Sequence, residues 1–430
     1  MAKFFRWLAL VLVAFVVVLG GVALALQQWL RSDDFRSRVE REASAAVGAP
    51  LKLGKLSIDL WPLPAVAADD VQLGTRPAIT VGRVEARPVW AGLLAGRLEI
   101  STLIVRQAVL PQSGIAALGA AMQKKDKASA KPGKKAEPSE PGAPLVLPRR
   151  AVLDDITWID GKGRRITVDA EASLGEDGLL DKAQFKVVEG RFAGTQGNLH
   201  RERDHWPVRV DIGGGRIAGP VKLQPGKAAG SQVLSGELQT EDVEVSALTA
   251  PSKPLTGKLQ ARTTLRSEFR EPGQLLDALV TQTRFTVNDA IVAGIDLQKA
   301  VQTVGLSRGG ITRLDALAGQ VSTRGKAVDL TNLVATSGKL AAGGNVSISP
   351  SQALSGRITV DLSTGKGDVG VPLVVGGTLD DPSVTLTRSA MVGAALGTLV
   401  MPGPGTAAGA STGGQIGESL RNLFGGGKKQ

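Results

Sequence analysis

The stretches RITVDA (165–170) and PVRVDI (207–212) decide the fold. Ile166, Val168 and Ala170 alternate with Arg165, Thr167 and Asp169, and Val208, Val210 and Ile212 alternate with Arg209 and Asp211. A period of two puts every apolar side chain on one face of a strand and every charge on the other, which is how an antiparallel sheet with one wet face is written. The same pattern continues outward. Leu255, Leu259 and Ala261 stand against Thr256, Lys258, Gln260 and Arg262, and Ile358, Val360 and Leu362 stand against Arg357, Thr359 and Asp361. From 145 to 388 the chain reads as short strands joined by Gly, Asp and Asn turns. A helix is expected near 272–284, carrying Leu275, Leu276 and Leu279, and a second around 296–304.

Toward the N-terminus the period changes. Residues 33–47 place Phe35, Val39, Ala43, Ala46 and Val47 at helical spacing, with Asp33 or Ser32 as cap and Gly48 and Pro50 as stop. Leu56, Ile58 and Leu60 then alternate with Ser57 and Asp59 until Trp61-Pro62-Leu63-Pro64 bends the chain. Strands follow at 71–73, 79–86, 98–100 and 103–110. Residues 31–121 therefore form a short amphipathic helix and a β-meander. Residues 122–144 hold six lysines and four prolines with no large apolar side chain after Met122, the composition of a flexible linker.

The first 30 residues read as a membrane anchor. No charge occurs from Leu8 through Leu26, and Trp7 and Trp29 bracket the run. About 22 residues of helix rise about 33 Å, close to the roughly 30 Å of hydrocarbon in a bilayer. Lys3 and Arg6 precede the run, while Arg31 is followed at once by Asp33 and Asp34. The positive-inside bias puts the N-terminus in the cytoplasm and the body across the membrane. Ala23-Leu24-Ala25 also has the small-x-small form of a signal cleavage site. Both readings export the chain.

Composition removes several classes of function. There is no cysteine, so neither disulfides nor thiolate ligands are available. The net charge is +11, yet tyrosine is absent and aromatics make up 3%, which argues against nucleic acid and for anionic headgroups as the counterpart of the basic surface. The only histidines, His200 and His205, flank Glu202 and Asp204. In a strand-turn-strand context a spacing of five does not put two imidazoles on one face, so a solvated turn is expected and no metal site. Asp69-Asp70, Asp154-Asp155 and Asp380-Asp381 read as acidic strand ends. No nucleophile elbow or phosphate loop occurs, so no catalytic residues and no cofactor are assigned. The tail, 389–430, repeats glycine on a four-residue register (Gly393, Gly397, Gly405, Gly409, Gly413, Gly417). That suits close helix packing in lipid, but Pro402 and Pro404 interrupt it, and a disordered Gly-Ala tail is the alternative reading.

Three stretches together carry a family resemblance. PLKLGKLSIDLWPLPAVAADDVQLG (50–74), running on through AITVGRVEARPVWAGLLAGRLEISTLIVRQAVL (78–110), resembles the AsmA family of envelope proteins, as do LTGKLQARTTLRSEFREPGQLLDALVTQTRFTVNDAIVAGIDL (255–297) and VPLVVGGTLDDPSVTLT (371–387). The resemblance implies a single-pass inner-membrane anchor, a periplasmic body with an N-terminal fold similar to that of bridge-like lipid-transfer proteins, and a role in moving phospholipid toward the outer membrane and in outer-membrane integrity.

The fold expected is mainly β, an N-terminal transmembrane helix followed by a long curved antiparallel sheet. Its groove would be lined by Leu56, Ile58, Leu60, Ile166, Val168, Val208, Val210, Ile212, Leu255, Leu259, Ile358, Val360 and Leu362. The ligand would be phospholipid or another acyl lipid, with the inner membrane and an outer-membrane or periplasmic protein as partners. Two alternatives stay open. A closed β-sandwich shows the same alternation, and a scaffold for outer-membrane proteins would use its sheet edges instead of its face.

Overall fold

The computed structural model describes residues 33–59, 65–89, 100–129, 148–249, 254–270, 274–302, 309–338, 340–364, 367–387 and 389–390. The anchor residues Trp7, Leu8, Leu26 and Trp29, the bend at Trp61, the bulk of the linker and the tail from 391 onward lie outside them. Among the described residues no helix is long and apolar enough to cross a membrane. The chain divides into two compact units, 1–194 and 195–430, and both are mainly β.

The first unit opens with helix α1 (Asp33–Val47), at the bounds its periodicity predicts. Asp33 and Asp34 sit in its first turn, where carboxylates complement the exposed N–H groups. Gly48, at φ 75°, ends it with a hydrogen bond from its N–H to the Ser44 carbonyl. Ser44 Oγ and Glu40 Oε1 then accept from the N–H groups of Leu51 (2.8 Å) and Leu53 (2.7 Å), which ties β1 (Leu51–Lys52) to the helix. Next come β2 (Leu56–Asp59), β3 (Ala65–Leu73), β4 (Ile79–Pro88), β5 (Ile100–Pro111), β6 (Arg150–Ile159), β7 (Arg165–Leu174) and β8 (Leu180–Glu189). β1 and β2 both pair with β3, and from there each strand pairs with the next.

One pairing departs from the antiparallel expectation, because β5 and β6 run parallel. A parallel neighbour needs a crossover, and that connection begins with a second helix, α2 (Gln112–Ser129). The helix takes in the first eight residues of the segment expected to be a flexible linker from 122.

The second unit is antiparallel throughout: β9 (Gln196–His200), β10 (His205–Ile212), β11 (Gly215–Pro225), β12 (Gln232–Glu244), β13 (Leu255–Phe269), β14 (Val280–Ala293), β15 (Ile311–Arg324), β16 (Ala327–Ser337), β17 (Leu340–Ile348), β18 (Leu354–Thr364), β19 (Gly367–Gly377) and β20 (Pro382–Leu386). Each strand pairs with its sequence neighbours in one meander. Two short helices interrupt it, α3 (Val245–Thr249) and α4 (Leu297–Gln302). The second is the expected one, capped by Asp296, whose Oδ1 accepts from the Lys299 N–H at 2.9 Å.

The helix expected near 272–284 does not form. Residues 275–278 are turns and β14 begins at Val280. Leu275, Leu276 and Leu279 have helical spacing, but Thr281, Thr283 and Phe285 already alternate. Ser267 Oγ donates to the Leu275 carbonyl at 2.7 Å and closes the connection as a loop.

Bulges are the feature that alternation alone conceals. Asp70, Gln107, Asp155, Asp242, Asp289 and Asn332 hold φ between 51° and 57° inside strands. Register slips beside four of them, where Leu153 pairs with Ala170 but Ile156 with Val168, Thr240 with Ala261 but Val243 with Leu259, Ile291 with Thr256 but Asn288 with Lys258, and Leu330 with Val346 but Leu333 with Gly344. The extra residue changes which sequence parity points to the apolar face, so the face stays apolar along the whole strand. Asp and Asn tolerate this left-handed backbone. The amide freed at a bulge finds an acceptor on the next strand. Asp155 N–H donates to Asp169 Oδ1 (2.9 Å), Asn332 N–H to Asn345 Oδ1 (2.9 Å) and Gly257 N–H to Glu244 Oε1 (2.8 Å). Asp154-Asp155 therefore lie at a mid-strand bulge, and Asp69-Asp70 lie inside β3 with Asp70 in left-handed backbone; neither pair is at a strand end. Asp380-Asp381 do lie in a turn, before β20.

Candidate functional site

The two faces of each sheet differ in chemistry, and the apolar face changes character along its length. In the first unit that face runs through Leu56, Ala68, Val84, Val105, Leu153, Ala170 and Phe185, successive partners across the strands. Near α2 it is closed, with Val71, Ile79, Ala108 and Val187 buried. At its other end Val66 is 45% exposed, and Leu153 and Phe185 are each 36% exposed. These large apolar side chains are spread over one face of the sheet, Leu153 and Phe185 with Ala170 between them and Val66 one row away.

The second unit shows the same gradient. On β10 and β11, Val208, Val210, Ile212, Ile217, Val221 and Leu223 share one face and all are half-buried, with Val210 opposite Ile217 and Val208 opposite Gly219. Leu234 and Leu238 on β12 and Leu259, Ala261 and Leu265 on β13 continue it, also half-buried. Beyond β13 the sheet curls onto itself. Pro382 on β20 sits against Gly294, just past the end of β14, and α4 packs against β15 and β18. The result is a closed core in which Val287, Val360 and Leu373 are wholly buried, joined by Ala290, Val371 and Leu386.

The expected lining residues therefore fall into three groups. Val208, Val210 and Ile212 are half-buried on the open part of the second unit's apolar face; Ile166 and Val168 are half-buried at the closed end of the first unit's, where Val168 pairs with the buried Val187, and Leu56 is buried on that face. Leu255, Leu259 and Ile358 are partly buried at the margin of the closed core, while Val360 lies inside that core and lines nothing open. Leu60 and the side chains of Ile58 and Leu362 lie outside what is described. Val66, Leu153 and Phe185, which the alternation did not single out, are the most open large side chains of that face in the first unit; the bulge at Asp155 hides Leu153 from a strict period-two count.

The opposite face is polar and, in the first unit, tightly paired. Glu85 is 6% exposed and receives Arg83 Nε and Arg106 Nη1, both at 2.8 Å, with Arg87 Nη2 at 3.7 Å. Arg83 also bonds Asp69 (2.8 Å), and Arg106 Nε stands 3.6 Å from Asp154. Burial alone would push the Glu85 carboxyl up, but the Arg83 hydrogen bond and the charges of Arg106, Arg83 and Arg87 together hold it below the usual glutamate range. Ala67 and Ile104, the strand partners of Glu85, are buried on this same face.

The two histidines meet at one carboxylate, closer than their spacing suggested. The hairpin bridge between Glu202 and His205 puts Glu202 Oε1 at 2.7 Å from His200 Nε2 and Glu202 Oε2 at 3.6 Å from His205 Nε2. His205 and Lys222 hydrogen-bond Asp204 and hold its carboxyl low. Among the described residues no group of three or more His, Asp or Glu side chains is arranged to hold a metal ion.

No family model, no curated protein and no solved structure matches the chain.

Proposed function

We propose that this is an inner-membrane-anchored periplasmic lipid carrier of the AsmA type, in which acyl chains lie along the apolar sheet face and phospholipid moves toward the outer membrane in support of its integrity. The observation that carries the reading is the partly exposed apolar face, at Val66, Leu153 and Phe185 in the first unit and from Val208 to Leu265 in the second. A hydrocarbon tail on such a face gains about 0.8 kcal/mol per methylene removed from water. The headgroup stays in solvent, so the sheet works as a groove and no bond needs to be made or broken. The charge-free run between Trp7 and Trp29 tethers the carrier to its source membrane in this scheme, and the net charge of +11 favours anionic headgroups beside it.

The test is photocrosslinking in cells, with a photoreactive residue placed in turn at Leu153, Val210 and Leu259 and at Val360 as a buried control. Lipid adducts at the first three, absent at Val360, are expected. Protein adducts alone at Val210 would remove the reading and leave a tethered scaffold. Mass spectrometry of the protein purified in mild detergent adds a second readout, with phospholipid retained at about one or more per chain.

A further inference from the structure

The polar face of the second unit holds a cleft that lipid carriage along the other face does not use. It measures about 510 Å³ and lies over β13 to β16, lined by Arg262, Arg284, Gln282, Gln320, Thr264 and Ser322 among others, with no carboxylate in its lining. Arg262 and Arg284 are direct partners across β13 and β14, and Arg284 is in turn opposite Gln320 on β15. Two like charges directly opposed across a sheet repel and destabilise the pair.

Where arginines oppose each other in the first unit the charges are neutralised, as at Arg83 with Asp69 and its partner Arg106 with Glu85. Here only Glu237 approaches, 3.6 Å from Arg262 Nε, and both of those side chains are more than half exposed. Among the described residues no carboxylate stands within ion-pair distance of Arg284.

We propose that this cleft binds a phosphate ester that carries neighbouring hydroxyl groups. Two guanidinium forks supply charge and paired donors to one phosphate, the geometry that makes arginine the preferred partner of that group. The amides of Gln282 and Gln320 and the hydroxyls of Thr264 and Ser322 offer both donors and acceptors, which match a polyol and would be wasted on a bare anion. A bound phosphate also removes the repulsion between the two arginines. Soluble sugar phosphates and the glycerol or sugar phosphate headgroup of a lipid share this chemistry.

The experiment is calorimetric titration of the full-length protein in mild detergent with glucose 1-phosphate. Glucose and inorganic phosphate serve as the two half-ligands, and phosphatidylglycerol vesicles form a parallel binding arm. Binding of glucose 1-phosphate should exceed that of either half-ligand. It should weaken at least tenfold in Arg284→Gln and in Arg262→Gln while staying unchanged in Arg209→Gln, whose guanidinium is paired with Asp211. Binding confined to vesicles and lost in the same two variants would place the ligand in a lipid headgroup. Affinity that is equal for all anions, or unmoved by either substitution, would overturn the proposal. The variants' circular dichroism should match the wild type and their thermal midpoints should be equal or slightly higher, since both side chains are exposed and each substitution removes the repulsion. None of these outcomes depends on crosslinking at Val210, so this site and the carrier reading can fail separately.

Discussion

Val210 on β10 and Val360 on β18 sit in near-identical sequence, RVDI and TVDL, on the apolar face of strands in one continuous meander. One is half-buried and the other has no exposed surface. What separates them is distance along the sheet, not local pattern. Each bulge adds twist to a sheet that already coils, and by β20 the coil has brought Pro382 back over the end of β14. The closed end is a core in the ordinary sense. The open end is a face held only by its own hydrogen-bond ladder and lateral neighbours. Stability should therefore concentrate at one end and binding at the other, and substitutions can break or sharpen that division.

The largest effect is expected in the closed core. Leu373 is wholly buried between Ile358 on β18 and Leu386 on β20. Leu373→Ala leaves a cavity there and should cost about 2–5 kcal/mol, read as a fall in the urea midpoint. A loss under 1 kcal/mol would mean that the curled end is not the stabilising core, and the division would fail.

The first unit cannot draw comparable support from its apolar row, so its stability should rest partly on the other face. Glu85→Gln leaves Arg83 and Arg106 facing a neutral group in a largely buried setting, and about 1–3 kcal/mol should be lost near neutral pH. The Glu85 carboxyl is held below its unfolded value of about 4.3. Its contribution is thus complete above that value and lost as pH falls through the lower folded one. The stability gap between wild type and Glu85→Gln should be flat from neutral pH to about 5.5 and should close below about 4. A gap that widened in acid would contradict the geometry.

How much of this was legible in the sequence follows the same division. Alternation at 165–170 and 207–212 and the period of 33–47 are local facts, and local hydrogen bonding obeys them. So does the Asp296 cap of α4. The helix expected near 272–284 does not form because the strand alternation that begins at Val280 and the Ser267–Leu275 hydrogen bond prevail over the helical spacing of three leucines. The 112–129 helix went unread because its Ala, Gly and Lys residues form no clear apolar stripe. Bulges went unread because Asp155 and Asn332 look like turn residues, and the turn they make is one residue long inside a strand. Whether Val360 is open or closed depends on β20 meeting β14, a contact between residues about ninety positions apart, and no periodicity encodes it.

The bulges are the device that carries one apolar face through both ends, which gives a smaller effect of defined sign. Asn332, at φ 52°, has its freed N–H satisfied by Asn345. Asn332→Gly should be within about 0.5 kcal/mol of wild type, because glycine takes that backbone without strain. Asn332→Val should lose about 1–2 kcal/mol in thermal denaturation, since a β-branched residue does not adopt it readily. Equal tolerance of both would mean the left-handed backbone is not required there and that the parity switch between Leu330 and Leu333 has another cause.

The smallest effect on stability should coincide with the largest on binding. Val210 is half-buried with Ile217 opposite it and Arg209 and Asp211 turned to the other face. Val210→Gln removes little buried apolar area and leaves the amide free to reach water, so stability should change by about 0.5 kcal/mol or less. An acyl chain lying across that position would lose its contact and meet a polar group it cannot satisfy. Phospholipid retained through purification should fall several-fold, while Val360→Ala, which costs stability in the core, should leave retention per folded molecule unchanged. Should Val210→Gln instead destabilise as much as a core substitution and leave lipid content untouched, then β10 packs on protein, and the contrast between Val210 and Val360 would be one of degree only.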